Sequence, residues 1–196
     1  MSTSPARPVI LLLSGSLRAG SVNEAVLRTA ESVAAQSAAA GYGAGAPAPM
    51  SAVRYEGLGD LPHFNPDDDT DPLPAPVAAL REAIAGAAAL LVCTPEYAGT
   101  LPGSFKNLLD WTVGGTEISD KPVAWVNAAA PGRGGGAEAT LRTVFGYTGA
   151  AVVDAACVRL PVDRAAVGAD GTVADPAVRA RLAEVLALLA GAAAGA

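Results

Sequence analysis

Basic excess, histidine, cysteine and long apolar runs are all scarce in this 196-residue chain. It has 13 Lys and Arg against 19 Asp and Glu, a net charge of −6. No basic stripe exists to neutralise phosphates, which argues against a nucleic-acid partner and against an anionic membrane surface. There are two cysteines, Cys93 and Cys157, far apart in sequence. They form neither a metal-ligand spacing nor a redox pair, and both sit in apolar runs where packing explains them. The only histidine, His63, has no acid or nucleophile beside it that would make it a catalytic group. The opening MSTSPARP has no apolar signal core, and the closing LAEVLALLAGAAAGA is too short and too poor in large residues to span a bilayer. The expectation is a soluble, cytoplasmic protein with no membrane partner. The Ala and Gly bias resembles the coding bias of a GC-rich bacterial genome. The length suits one domain with a proper core.

What is present begins at Pro8. The run Val9–Leu13 is wholly apolar and is followed by Ser14-Gly15-Ser16-Leu17-Arg18-Ala19-Gly20-Ser21-Val22-Asn23. A short apolar run bounded by turn residues reads as a buried strand. The polar loop then opens a helix, whose first-turn amides and dipole suit an anion. Ser14, Ser16, Ser21 and Asn23 add donors, and Arg18 adds a planar cation suited to phosphate. A Walker loop is excluded because Ser21-Val22 stands where Lys-Ser/Thr is needed. A Gly-x-Gly-x-x-Gly dinucleotide fingerprint is absent, and so is a cysteine nucleophile. Two readings remain: a loop that holds a phosphate without reacting with it, as on the tail of FMN, or an ordinary strand–helix turn with Ser21 as N-cap.

Further along, helices are expected from Glu24 to about Ala40, Val77 to Ala88, Ser104 to about Val113, about ten residues after Gly136, and Pro176 to Leu189 with Asp175 as N-cap. Strands are expected at Ser51–Leu58, Ala89–Cys93, Val123–Ala130 and Ala151–Leu160. Residues 1–7 read as flexible. Residues 41–50 and the proline-dense 66–76 read as loops, within a single domain over 1–196. The acidic run Asp67, Asp68, Asp69 and Asp71 reads as a solvated loop, and no metal ligands are assigned. Strands and helices alternate, and the strands are continuously apolar, the mark of a parallel sheet covered on both faces. The loops after residues 13, 93 and 130 should therefore converge beyond the strands' carboxyl ends. One suits a phosphate, one carries Pro95-Glu96-Tyr97, and one is nearly all glycine, allowing backbone close to a flat ring.

Together these residues resemble the NADPH-dependent FMN reductase family of flavodoxin-like proteins. Its phosphate motif appears as Gly15-Ser16-Leu17-Arg18 with Ser21-Val22-Asn23. Its second signature appears as Pro95-Glu96-Tyr97, Pro102-Gly103 and Lys106-Asn107-Leu108-Leu109-Asp110-Trp111. Leu61 to Asp67 also resembles the family loop after the second strand. The likeness covers roughly residues 9 to 150. It implies a flavodoxin-like three-layer α/β sandwich, with a five-stranded parallel sheet and helices on both faces. It implies FMN held at its phosphate by Ser14, Ser16, Arg18, Ser21, Val22 and Asn23. The ring would lie against Pro95, Glu96, Tyr97 and Ala98, with Gly132, Arg133, Gly134 and Gly135 along its polar edge. Where relatives often carry Ser or Thr before the glycine loop, this chain has Ala128, Ala129 and Ala130.

The implied activity is hydride transfer from NADPH or NADH to FMN. Electrons would then pass to a small-molecule acceptor (a flavin, quinone, azo compound or metal ion) by ping-pong turnover. No catalytic acid or base is required. The alternative is a non-catalytic flavin-binding electron carrier or regulatory subunit. The likeness also implies a homodimer or homotetramer with the Lys106–Trp111 helix at an interface near the flavin. From the residues alone, Tyr97 and Trp111 are equally open to packing roles, with packing favoured for Trp111. Lys106 and Asp110 are spaced to pair with each other. Arg133 is either a cap over the donor's phosphates or a solvated charge.

Overall fold

A computed structural model describes residues 8–39 and 51–195; the expected tail at 1–7 and the loop at 41–50 lie outside the described residues. Three strands form the middle of the sheet: β1 (Val9–Ser14), β3 (Ala89–Cys93) and β4 (Pro122–Asn127). Each is a near-continuous apolar run, because each is covered on both faces. β2 (Ser51–Tyr55) lies outside β1, and β5 (Ala151–Val152) lies outside β4, giving the parallel order β2-β1-β3-β4-β5.

The period-two alternation of the strands sorts their side chains into two cores. Ile10, Leu12, Leu91, Ala124 and Val126 face α1 (Val22–Ala39) and α5 (Pro176–Gly195). Leu11, Leu13, Leu90, Val92, Val123 and Trp125 face α2 (Ala75–Gly86), α3 (Gly103–Asp110) and α4 (Gly135–Thr148). Complete burial of a Leu or Ile side chain contributes about 1.5–3 kcal/mol. Ile10, Leu12, Leu13, Leu90 and Leu91, all at 0% exposure, make the central strands rigid mounts for the loops that follow them. This is the expected α/β sandwich.

Several elements differ from expectation: the second strand stops at Tyr55 rather than Leu58, which lies in a 3-10 turn over Gly57–Asp60, and the last helix runs on to Gly195 rather than Leu189. The fifth strand, expected as Ala151–Leu160, is two short pieces: β5, and β6 (Val158–Arg159), which pairs with the far end of β4. A 3-10 turn at Asp154–Ala156 separates them, with Asp154 turned outward to Arg142 at 2.7 Å. The fourth strand stops at Asn127 rather than Ala130, because the Asn127 side chain bonds the loop instead of extending the ladder. Helix α2 starts at Ala75, so Pro76 sits in its first turn, where the missing N–H costs nothing. Asp175 caps α5 as expected, accepting from Ala177 N at 2.8 Å.

The strand order turns back at β1 and β3, which leave in opposite directions across the sheet. A crevice opens beyond the carboxyl ends of such strands.

Candidate functional site

Three loops rise from that end of the sheet. The first joins β1 to α1. Gly15 lies so close to Thr94 that a Cβ there would collide with the Thr94 side chain, and its N–H bonds Cys93 O at 3.0 Å. The first and second loops are therefore in contact at their roots. Ser14 Oγ accepts from Ser16 N at 3.3 Å, and Ser16 Oγ accepts from Arg18 N at 3.3 Å, so serines brace the turn. Ser21 does not cap α1 with its side chain. Its carbonyl accepts from Ala25 N at 3.0 Å, and its hydroxyl makes no hydrogen bond among the described residues. The first-turn amides of α1 are left for an anion.

The second loop follows β3. Tyr97 and Thr100 pair in both directions, at 3.0 and 3.1 Å, around Ala98 (φ 50°) and Gly99 (φ 77°). Positive φ at both central residues is a type I′ turn. For Ala98 the left-handed conformation costs about 1–2 kcal/mol, so neighbouring contacts must hold it. The holding contact is Glu96. Its carboxylate accepts from Gly136 N at 2.6 Å and Ala137 N at 3.1 Å, at the start of α4. The Glu96 carboxylate is thus a latch between the second and third loops.

The third loop follows β4 and is organised by Asn127, 6% exposed. Its amide donates to Arg133 O at 3.2 Å and to Glu138 Oε1 at 2.9 Å, and its Oδ1 accepts from Ala129 N at 3.0 Å. Gly134 has φ 82° and packs on the Asn127 amide so closely that a Cβ would clash. Glu138 also pairs with Arg159. Burial pushes the Glu138 carboxyl up, but the bonds from Arg159 and Asn127 outweigh it and leave the group below its ordinary value.

Two cavities result. One, of about 400 Å³, lies between all three loops and is lined by Val22, Asn23, Thr94, Pro95, Glu96 and the segment Ala128–Gly134 except Pro131. The other, of about 560 Å³, lies on the β2 side of the first loop and is lined by Ser14, Ser16, Arg18 and Ser21. The expected anion-loop residues are thus divided: the serines and Arg18 face one cavity, Val22 and Asn23 the other. Of the ring-side residues, Pro95, Glu96, Gly132, Arg133 and Gly134 line the inter-loop cavity. Tyr97, 54% exposed, and Ala98 stand at the outer turn, and Gly135 is the first residue of α4.

The donor set fits the phosphate and ring of a flavin mononucleotide. Ser16, Arg18 and Ser21 line the cavity beside the start of α1, a set of hydroxyl and guanidinium donors suited to a phosphate. Both volumes fall within the roughly 300–1,000 Å³ of small-molecule sites.

Cys93 is fully buried and its thiol donates to Asn23 Oδ1 at 3.3 Å, which holds the start of α1 on β3. Burial raises the thiol pKa strongly, so it is an inert packing group. Trp111 is also wholly buried, and its indole N–H donates to Pro62 O at 2.8 Å. Asn107 donates to the same carbonyl at 2.9 Å and accepts from Phe64 N at 2.8 Å. The Lys-Asn-x-x-Asp-Trp motif therefore pins the loop after β2. Lys106 and Asp110 pair as the spacing predicts. Asp69 of the acidic run is held by Arg81 at 2.7 Å, which also donates to Trp111 O at 2.9 Å.

Asn127, Glu138 and Arg159 are the site residues that sequence reasoning missed. The available signal was a lone amide closing an otherwise apolar strand before a glycine loop.

Comparison with known proteins agrees with this geometry. The family model described as NADPH-dependent FMN reductase matches residues 8–164. A quinone reductase of Escherichia coli is 34% identical over 116 residues, covering 59% of this chain and 54% of the relative. An NAD(P)H-dependent FMN reductase of Pseudomonas aeruginosa is 36% identical over 132 residues, covering 66% and 64%. The matched region thus spans about half to two thirds of these relatives' lengths. Among solved structures, FerB, a flavoenzyme NAD(P)H:(acceptor) oxidoreductase of Paracoccus denitrificans, superposes with TM-score 0.72 at 25% identity, covering 96% of this chain and 98% of that one.

Proposed function

This chain belongs to the NADPH-dependent FMN reductase family, and on that premise we propose that it is an FMN-dependent NAD(P)H oxidoreductase. The observation that carries the proposal is the meeting of the loops after β1, β3 and β4 around one cavity beside the uncapped start of α1. Bound FMN supplies the redox chemistry, taking hydride from the nicotinamide and giving electrons to an acceptor.

The residues of the chain do the rest. Arg18, the Ser16 and Ser21 hydroxyls and the first-turn amides of α1 hold the phosphate. Pro95 and the backbone of the second loop form one wall of the ring site, and the glycine backbone from Gly132 to Gly134 forms the opposite edge. Glu96 and Asn127 fix the separation of those walls, which sets how a second flat ring can stack at reacting distance. The glycine backbone from Gly132 to Gly134 would stabilise the negative charge that a reduced flavin carries.

No second nucleotide fingerprint is present in the sequence, so donor and acceptor use the same open face in turn. The acceptor is a small oxidised molecule of the quinone, flavin, azo or metal-ion class. Initial rates measured at several NADPH and quinone concentrations should give parallel double-reciprocal lines; intersecting lines would refute shared use of one face. Among the described residues, no helix is long and apolar enough to cross a membrane. Self-association is also part of the proposal. Because Trp111 is buried in its own chain, the contact would fall on exposed neighbours such as Val113 and Tyr147, and gel filtration with light scattering tests it.

A further inference from the structure

Two of the residues lining the inter-loop cavity are charged, Glu96 and Arg133. The Glu96 carboxylate is committed to the amides of Gly136 and Ala137. Beside it, Glu138 is taken by Arg159 and Asn127. Arg133 is exposed, and its guanidinium forms no ion pair among the described residues. It is the uncommitted charge of this lining. Arg18, the cation of the first loop, lines the other cavity.

The fold holds Arg133 by its backbone alone. Its N–H donates to Ala130 O at 3.0 Å, and its carbonyl accepts from the Asn127 amide at 3.2 Å. Gly132 and Gly134 on either side have φ of 81° and 82°, a conformation glycine adopts without strain. The root of the side chain is therefore pinned by a buried amide, while the guanidinium is left for a visiting anion.

The chemistry of the visitors selects among them. A flavin phosphate is already matched by Ser16, Arg18 and Ser21 beside α1. Of the small molecules that use the open face in turn, a quinone carries no charge. The nicotinamide donor carries a pyrophosphate, anionic at any working pH and matched to the planar fork of an arginine. The net charge of −6 opposes such a donor at long range, and a local cation offsets that. The pyrophosphate is one ribose away from the nicotinamide, within reach of a long side chain rooted at the ring site. The adenosine 2′-phosphate of NADPH lies a nucleotide further out.

We propose that Arg133 holds the pyrophosphate of the nicotinamide donor, so that it serves the donor half of the cycle and not the acceptor half. The inference rests on the reductase reading above and names the group that recognises the donor on a shared face.

The test uses FMN-loaded protein and its Arg133→Ala and Arg133→Lys variants. Calorimetry with tetrahydro-NADP, an analogue with no hydride to give, reads the contact itself. Its Kd should rise about 10- to 100-fold in Arg133→Ala, the range of one charge-assisted bond, and recover in part in Arg133→Lys. The kcat/KM values for NADPH and NADH should fall by one common factor, because both donors carry the pyrophosphate. Reduction by N-benzyl-dihydronicotinamide, a donor without phosphate, should be unchanged, as should kcat/KM for the quinone and Kd for FMN. A merely structural role would move these controls with the rest. An unchanged Kd for tetrahydro-NADP, an equal loss with the benzyl donor, or a loss confined to NADPH overturns the inference. Wild-type protein that loads FMN but binds no tetrahydro-NADP would overturn the reductase reading itself.

Discussion

Replacing Glu96 by alanine removes the carboxylate that accepts from two amides at the start of α4, at 2.6 and 3.1 Å. Three effects are lost together. A helix cap is worth about 1 kcal/mol. A carboxylate at a helix N-terminus adds about 0.3–1 kcal/mol. A charge-assisted hydrogen bond is worth about 1.5–3 kcal/mol. These are overlapping descriptions of one contact, so the net loss is about 2 kcal/mol. For a domain of this size each kcal/mol moves Tm by roughly 2–4 °C, giving a fall of roughly 4–8 °C. Glu96→Gln keeps an acceptor oxygen but loses the charge, and should fall by about half as much. Because the latch also holds Ala98 at positive φ, the alanine variant should lose FMN affinity by about tenfold or more. Differential scanning calorimetry of the flavin-free protein and fluorescence titration with FMN give the two readings. A Tm unchanged in both variants, with FMN affinity intact, would refute the latch.

Other consequences follow from the same geometry. Arg18→Ala should weaken FMN by about 10- to 100-fold, one charge-assisted bond of roughly 1.5–3 kcal/mol, and should leave Tm of the flavin-free protein unchanged; titration and calorimetry check both. Asn127→Ala strands the Ala129 N–H and the Arg133 carbonyl, and should cost about 2 kcal/mol, or roughly 4–8 °C in Tm. The Glu138 carboxyl has a folded-state pKa below its ordinary value of 4.5. Its contribution is therefore complete above the unfolded value and lost as pH falls through the folded one. Urea midpoints should drop below about pH 4.5 more steeply in the wild type than in Glu138→Gln. Equal slopes would refute that assignment.

The central strands and their loops were legible because burial on both faces leaves no alternative to apolar runs at Val9–Leu13 and Ala89–Cys93. The special loops were legible because serine, glycine and proline clusters interrupt the pattern so sharply. What was not legible depends on contacts remote in sequence. Glu96 reads locally as part of a turn, yet its partners are Gly136 and Ala137, forty residues on. Ser21 has the composition of an N-cap, but it caps α1 only through its carbonyl and lines the larger cavity. The Ala151–Leu160 run looks continuous, yet Asp154 leaves the ladder for Arg142 and splits it. The family motif at Lys106–Trp111 was visible, but only the structure assigns it to holding Pro62 and Phe64.

The most direct test of the account is the visible spectrum of the protein reconstituted with FMN, followed by anaerobic addition of NADPH. The account predicts a bound, yellow flavin whose absorbance bleaches on adding NADPH and returns when a quinone is added. A flavin that stays oxidised would contradict the reductase and leave a carrier or regulatory subunit. A protein that fails to take up FMN at all would contradict the site formed by the three loops.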